Sequence, residues 1–218
     1  MYSTLVDRLS ERLKQALPSA LAHDPLRAVP IGNVIPKFEH KLPPKPGSVL
    51  ILLYEDNGKI LFPLIKRSEY NGAHSGQVSL PGGKAEPGED SIQTALREAQ
   101  EEIGVDPTTV NVIGRLSDFF VIPSNFLVTP VVASVRKTPT FTADPHEVVR
   151  IIYGDVDSLV KEDAIRTREI LAAGNFRMNA PHFEIENEVV WGATAMMLNE
   201  FRFILREIIA ENHSAPMF

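Results

Sequence analysis

The chain has 218 residues, 44% of them hydrophobic and 23% charged, which is enough apolar material for one large domain. Its net charge of −6 argues against a protein that coats nucleic acid polymers or acidic membranes by neutralising phosphates. The absence of cysteine excludes disulfides and cysteine-ligated zinc. Residues 1–17 contain Asp7 and Glu11 but no apolar signal segment, so we expect a cytoplasmic location and no membrane partner.

The amino-terminal part of the chain differs in pattern from the rest. Leucine recurs there every four residues, at Leu5, Leu9, Leu13 and Leu17. This spacing predicts an amphipathic helix that docks on the main domain. Six prolines follow within residues 25–46, which favours a linker or an extension lying on the surface. We therefore expect an amino-terminal helix and proline-rich extension over 1–46, a main domain over 47–212, and a short tail over 213–218.

The main domain begins with a predicted hairpin. Strands are expected over Ser48–Tyr54 and Lys59–Lys66, because Asn57-Gly58 between them is typical of a tight hairpin turn. A glycine-containing loop is predicted over 67–83. A helix over Ser91–Ile103 follows, with Asp90 as its N-cap, Gln93 completing a capping box, and Gly104 as its stop.

The remaining segments alternate between strand and helix patterns. Strands are predicted over 110–116, 127–136, 148–153 and 183–189, and a last helix over 193–209. Strands interleaved with helices predict an α/β fold with a mixed β-sheet.

The predicted helix over Ser91–Ile103 carries an unusual group of carboxylates. Glu98, Glu101 and Glu102 are spaced i, i+3 and i+4, so their side chains share one edge of the helix. Like charges at this spacing destabilise a helix by roughly 0.2–0.5 kcal/mol per pair, whereas hard cations such as Mg²⁺ or Mn²⁺ seek oxygen ligands. The group therefore indicates a metal site, the alternative being an acidic face in solvent.

The residues around these glutamates supply a resemblance. From Gly83, five residues precede Glu89, seven more precede Arg97, and REAQEEIGV continues to Val105. This resembles the Nudix box, G-x5-E-x7-R-E-U-x-E-E-x-G-U with U apolar, at every fixed position.

The resemblance implies a Nudix-type α/β/α sandwich with a loop–helix–loop catalytic motif. It implies that Glu98, Glu101 and Glu102 bind Mg²⁺ or Mn²⁺, and that Glu89, Arg97 and Gly104 support the box. Arg97 is also assigned to the catalytic group. Gly82 and Gly83 permit a turn that brings backbone close to metal or phosphate.

The segment before the box is similar to the signature of coenzyme A diphosphatases. The positions that match are Leu64, Arg67, Ser68, Gly76, Pro81, Gly82 and Gly83. Gly72 stands where the signature has its second arginine, and Leu80 where it has phenylalanine. The motifs PSNFLVTPVV from Pro123 and WGATA from Trp191 also resemble that subfamily.

Several single residues have two interpretations. Arg67, Ser68, Gly76, Gly83 and Phe126 are candidates for substrate binding. Arg67 could instead form a surface ion pair, and Phe126 could either stack on adenine or fill the core. Glu147 is a candidate general base by analogy, or a solvated glutamate. Trp191 is interpreted as a core residue.

Together these features predict a metal-dependent enzyme that hydrolyses a diphosphate bond in a nucleoside-diphosphate compound. Coenzyme A or an acyl-CoA is the expected substrate, and 3′,5′-ADP and (acyl-)4′-phosphopantetheine are the expected products. ADP-ribose, NADH or a nucleoside triphosphate are alternative substrates. A second alternative is a Nudix-like module that senses nucleotides without turnover. A homodimer is possible by analogy with the family.

Overall fold

The computed structural model describes residues 2–32, 38–68, 76–172 and 176–214, with side chains described as far as residue 211. The helices are α1 (Tyr2–Arg12), α2 (Ala20–His23), α3 (Ser91–Ile103), α4 (Val156–Leu159) and α5 (Gly192–Ser214). The first strands are β1 (Val29–Pro30), β2 (Lys45–Asp56), β3 (Lys59–Arg67), β4 (Val78–Ser79), β5 (Gly82–Lys84) and β6 (Val110–Arg115). The later ones are β7 (Phe119–Val121), β8 (Phe126–Val135), β9 (Val148–Asp155), β10 (Ile165–Ala172), β11 (Phe176–Ile185) and β12 (Glu188–Trp191).

The larger sheet is mixed, as the sequence predicts. Its order is β4-β3-β2-β8-β6, and β5, β7 and β9 pair with β2, β8 and β3 respectively. Strands β2 and β8 run parallel, with Lys45 opposite Phe126 and Leu53 opposite Ser134, whereas the other pairings are antiparallel. The predicted turn at Asn57-Gly58 is confirmed, because both residues have positive φ and join β2 to β3.

Strand β2 separates two apolar layers because its side chains alternate between the faces of the sheet. Leu50, Leu52 and Tyr54 pack in a cluster with Ala95, Ala99 and Ile103 of α3. Ile51 and Leu53 pack in a second cluster, together with Phe201 and Leu205 of α5 and Leu9 of α1. The sheet therefore lies between helices, which confirms the α/β/α sandwich.

The amino-terminal helix packs against α5, as predicted. Leu9 is fully buried, and Arg8 and Arg12 form ion pairs with Glu211 and Glu207. The helix ends at Arg12, so Leu17 lies beyond it, although Leu17 still packs on the same core.

The proline-rich segment is partly built into a second sheet. Leu26 is fully buried, and β1 pairs with β11 through Val29 opposite Asn179. Within the described residues this sheet has the order β1-β11-β10, with β12 also paired to β11.

The predicted strand over 183–189 is wrong. The chain turns sharply at Glu186 and Asn187, both with positive φ, so this segment is the end of β11, a hairpin turn and the start of β12. Strand β10 was not predicted, because its mostly exposed side chains leave no clear apolar alternation. The loop predicted over 67–83 contains the short strands β4 and β5. No helix among the described residues is long and apolar enough to cross a membrane.

Candidate active site

The carboxylate helix α3 is positioned by its own ends and by its apolar face. The Asp90 side chain accepts hydrogen bonds from the backbone of Ile92 and Gln93, and the Gln93 side-chain oxygen accepts one from the Asp90 N–H. Gly104 ends the helix in the left-handed conformation, with φ of 71°. Both predictions of the helix limits are thus confirmed. With its apolar face fixed on the sheet, the helix presents Glu98 and Glu102 toward the two glycines that begin β5.

Glu102 is the most buried acidic group of this helix, with 1% of its side chain exposed. Its Oε2 accepts a hydrogen bond of 2.8 Å from the backbone N–H of Gly82, and its Oε1 accepts one of 3.0 Å from Arg67 Nη1. Burial raises the pKa of Glu102 to about 7, and the neighbouring charges of Glu98 and Glu147 act in the same direction. The carboxylate is therefore held in a place where a positive charge would stabilise it.

Glu98 lies one helical turn before Glu102, against Gly83. Burial raises the pKa of Glu98, although a hydrogen bond of 3.0 Å from Arg97 opposes that shift. A Cβ atom on Gly83 would lie 2.5 Å from the Glu98 carboxyl carbon, so only glycine leaves room for this side chain.

Gly82 is constrained by the backbone rather than by a side chain. Its φ is 152°, and a Cβ there would collide with the Ser48 carbonyl and lie 2.6 Å from Val49 Cα. The two glycines therefore have different physical roles, one in strand packing and one in leaving space for Glu98.

Arg97 connects the outer part of the motif. Its guanidinium forms a two-pronged ion pair with Glu89, at 2.7 and 3.1 Å, and also donates to the Lys84 carbonyl at 3.0 Å. The hydrogen bonds from Arg97 lower the pKa of Glu89 to about 2. The supporting role that the resemblance implies for Glu89 and Arg97 stays a prediction.

Glu101 is placed differently from the other two glutamates. Its side chain is 59% exposed, and its carboxylate lies 2.9 Å from Arg97 Nη1. Across the described parts of the chain, no three acidic or histidine side chains are arranged to hold a metal ion as they stand. The assignment of Glu101 as a metal ligand stays a prediction, because its side chain would have to leave Arg97.

The chemistry of the donors nevertheless fits a hard divalent cation. The groups that converge are carboxylates, and the pKa values of Glu98 and Glu102 are raised by burial and by neighbouring negative charges. The charge of Glu147 raises the pKa of both Glu98 and Glu102, the charge of Glu98 also raises that of Glu102, and oxygen-ligated cations relieve this kind of repulsion.

A cavity of about 320 Å³ adjoins this group. Arg67, Gly82, Gly83 and Lys84 form its polar side. Its apolar side comes from Val49, Leu80, Val121, Phe126, Val128, Ala193 and Met197. Most of these apolar residues come from separate elements and carry no sequence signal of a site.

The structure locates the remaining predicted residues. Phe126 lines the cavity and also packs on a small apolar cluster, and Lys45 Nζ lies 5.2 Å from its ring centroid. Ser68 and Gly76 are not among the described residues lining this cavity. The Ser68 N–H donates a hydrogen bond of 2.9 Å to the Glu147 carbonyl. This hydrogen bond joins the end of β3 to the segment before β9. Gly72 lies outside the described residues.

The fold and this site together define an α/β/α protein in which two glycines of β5 and the glutamates of α3 lie beside a cleft. A family model described as NUDIX domain matches residues 44–174. The chain therefore belongs to the Nudix hydrolase family.

Individual relatives agree with this assignment. The chain is 38% identical over 164 residues to Nudix hydrolase 22, chloroplastic, of Arabidopsis thaliana, covering 71% of this chain and 53% of that protein. It is 32% identical over 168 residues to Nudix hydrolase 3 of Caenorhabditis elegans, covering 70% of each. The chain spans little more than half the length of the plant relatives, at 53% and 59%. The crystal structure of the Nudix hydrolase RenU from M. Smegmatis shares the fold, with a TM-score of 0.51 at 15% identity, over 81% of this chain and 91% of that one.

Proposed function

We propose that this chain is a metal-dependent diphosphatase that cleaves a diphosphate bond within a nucleoside-diphosphate compound, with coenzyme A or an acyl-CoA as its substrate. The observation that carries the proposal is the buried Glu102 carboxylate, held between the Gly82 N–H and Arg67 at the edge of the cavity. A buried carboxylate with a raised pKa beside a cleft is characteristic of functional sites.

Glu98 and Glu102, with Glu101 after it leaves Arg97, are the residues that would hold the divalent cation. When bound, Mg²⁺ or Mn²⁺ supplies charge neutralisation for the diphosphate and lowers the pKa of a water molecule.

Arg67 is proposed to bind a substrate phosphate in addition to pairing with Glu102. In the structure its guanidinium compensates the Glu102 carboxylate at 3.0 Å, and the same residue lines the cavity. Once Glu102 is compensated by a cation, Arg67 is free to pair with a phosphate oxygen of the substrate. Lys84 and the backbone at Gly83 lie on the same side of the cavity and add to the positive potential there.

Glu147 is proposed as the group that accepts a proton from the attacking water. It is exposed, and its charge acts on both Glu98 and Glu102, so it lies near both. A positioned general base contributes about 10²–10⁴-fold to a rate. Glu147→Gln is therefore expected to lower kcat by about 100-fold or more.

The coenzyme A assignment is supported by the signature from Leu64 to Gly83 and by the WGATA motif at the start of α5. The departure at Leu80 concerns mainly packing, since Leu80 is 1% exposed. Phe126 lines the cavity, which supports its proposed role in stacking on the adenine base. The departure at Gly72, which cannot pair with a phosphate, keeps ADP-ribose, NADH and nucleoside triphosphates as alternative substrates.

The test is a substrate panel with matched variants. Coenzyme A, acetyl-CoA, ADP-ribose, NADH and a nucleoside triphosphate are incubated with the enzyme and Mg²⁺ or Mn²⁺ in H₂¹⁸O. Mass spectrometry then identifies the products and the phosphorus that is attacked. Cleavage of coenzyme A to 3′,5′-ADP and 4′-phosphopantetheine is expected.

Two variants test the metal assignment in the same assay. Glu101→Gln and Glu102→Gln are expected to lower kcat at least ~100-fold. Glu86→Gln is the matched control, because Glu86 is an exposed glutamate of the same motif. Wild-type turnover by both test variants at saturating Mg²⁺ would refute their role. Tight nucleotide binding by the wild type with no product would favour the non-catalytic alternative.

A further inference from the structure

A second cavity, of about 270 Å³, lies beside the first. Aromatic and methionine side chains dominate its lining: Phe119, Phe120, Phe176, Met178, Trp191 and Met196. Among the described residues that line it, Arg27 alone is charged, and Arg27 is half exposed and paired with Asp24 at 2.8 Å. We call this space the aromatic chamber. Its lining suits an uncharged apolar group, because the charged side chain of Arg27 is already paired with Asp24.

The aromatic chamber adjoins the candidate substrate cavity. Val121, Ala193 and Thr194 line both spaces. A backbone hydrogen bond also connects the two linings: the N–H of Arg67, which lines the first cavity, donates a hydrogen bond of 3.0 Å to the carbonyl of Gln77, which lines the second.

The turn from β12 into α5 builds the junction between the two spaces. Gly192 has a φ of 63°, a conformation that side-chain-bearing residues rarely adopt, and it places Trp191 and Ala193 on either side of that turn. The sequence interpretation of Trp191 as a core residue is therefore incomplete, because Trp191 is only partly buried and lines the aromatic chamber.

We propose that the aromatic chamber binds the acyl group of an acyl-CoA while the diphosphate lies in the first cavity, an inference that rests on the proposed function. The enzyme then prefers acyl-CoA to free coenzyme A. In an acyl-CoA the pantetheine arm links the diphosphate to the acyl thioester, so one molecule carries a charged group for the first cavity and, at the far end of this arm, an apolar chain for the aromatic chamber. The preference arises from burial of the chain, since each fully buried methylene strengthens binding about fourfold.

Trp191 makes this testable without turnover, because it is the only tryptophan of the chain. Octanoyl-CoA and acetyl-CoA share the nucleotide and differ by six methylenes. Both are titrated without divalent cation into the Glu102→Gln variant, which lacks the charge that holds Arg67, while tryptophan emission is recorded. We expect octanoyl-CoA to shift the emission to shorter wavelength and to bind at least tenfold more tightly than acetyl-CoA. Equal affinities with unchanged emission would overturn the proposal.

Two substitutions locate the effect. Ala193→Phe obstructs the junction, and Met178→Glu places a charge in the aromatic chamber. Each is expected to reduce the octanoyl-to-acetyl ratio of kcat/KM at least tenfold, whatever the absolute rate. Ala210→Phe is the control, since Ala210 is exposed on the same helix about 25 Å further along. It should keep both the wild-type rates and the wild-type ratio.

The possible outcomes separate this inference from the proposed function. Hydrolysis of coenzyme A with no dependence on acyl length would overturn the aromatic chamber assignment and leave the diphosphatase proposal standing. Hydrolysis of ADP-ribose with no cleavage of any CoA compound would overturn the CoA assignment, and the acyl site with it. Tryptophan emission that changes with protein concentration alone would show that a second copy covers the aromatic chamber, which would also overturn the proposal.

Discussion

Alanine substitutions at the two adjacent glycines are expected to have different effects: Gly83→Ala should lower catalysis, and Gly82→Ala should lower stability. A Cβ at Gly83 would lie 2.5 Å from the carboxyl carbon of Glu98, whereas an ordinary contact begins at 3.4 Å. The Glu98 carboxylate must therefore move by about 1 Å, a displacement that can reduce catalysis about 100-fold. This loss corresponds to about 2.7 kcal/mol of transition-state stabilisation.

The cost in stability should be small for Gly83→Ala. The atoms in conflict belong to the far end of a flexible side chain, and Gly83 does not have a positive φ. Replacing glycine by alanine also removes conformational freedom from the unfolded chain, which stabilises by about 0.4–1 kcal/mol. We expect its free energy of unfolding to stay within about 1 kcal/mol of wild type.

Gly82→Ala should instead destabilise the fold. Its Cβ would lie 2.6 Å from Val49 Cα, which is backbone and cannot move aside, and its φ of 152° disfavours side chains. We expect a loss of about 3 kcal/mol or more in the free energy of unfolding.

Urea denaturation followed by steady-state kinetics at saturating Mg²⁺ separates the two effects. Gly83→Ala should unfold near the wild-type midpoint and turn over about 100-fold more slowly. A folded Gly83→Ala protein with wild-type kcat would refute the claim that Glu98 must occupy its observed position.

Three further predictions concern other polar contacts of the fold and the site. Burial raises the pKa of Glu102 to about 7, so the folded state holds a proton that the unfolded state releases at lower pH. Without metal, the free energy of unfolding should therefore fall by up to about 3 kcal/mol as pH rises from the usual carboxyl range through 7. Urea titrations in EDTA measure this fall, and Glu102→Gln should abolish it. Burial opposes ionisation of Glu200, but hydrogen bonds from His23 at 3.1 Å and Ser117 at 2.6 Å outweigh it and lower the Glu200 pKa. Glu200→Ala should therefore lower the free energy of unfolding by about 3–5 kcal/mol at pH 7. This loss should become smaller as pH falls through the lowered pKa of Glu200. An unchanged unfolding midpoint for the variant would contradict this reasoning. Arg97→Lys should lower kcat about 10–100-fold with little change in KM for substrate. The reason is that lysine cannot reproduce the five hydrogen bonds of the guanidinium. A wild-type kcat would show that this network is dispensable.

The local features of the motif could be predicted because they depend on residues close in sequence. The limits of α3 follow from Asp90 and Gly104, and the turn between β2 and β3 follows from Asn57-Gly58. Hydrogen bonds and backbone conformations of this kind are fixed by neighbours within four residues. The mixed α/β class followed for the same reason, from the order of these local elements.

The second sheet could not be predicted in the same way. Strand β10 has mostly exposed side chains, and the turn at Glu186-Asn187 contains two non-glycine residues with positive φ. Pairing with β11 stabilises β10, and pairing of this kind is a long-range interaction with little signature in the strand itself.

The sequence by itself determined the family motif, the limits of its helix and the residue types of the candidate metal site, because each depends on spacing within one short segment. Tertiary structure alone decided that Arg67 and the Gly82 N–H meet Glu102, and that two cavities share Ala193 in their linings. These contacts join segments far apart in the chain, and their geometry is set by how the sheet and helices pack. Side-chain packing therefore decided which of the predicted groups share the cleft.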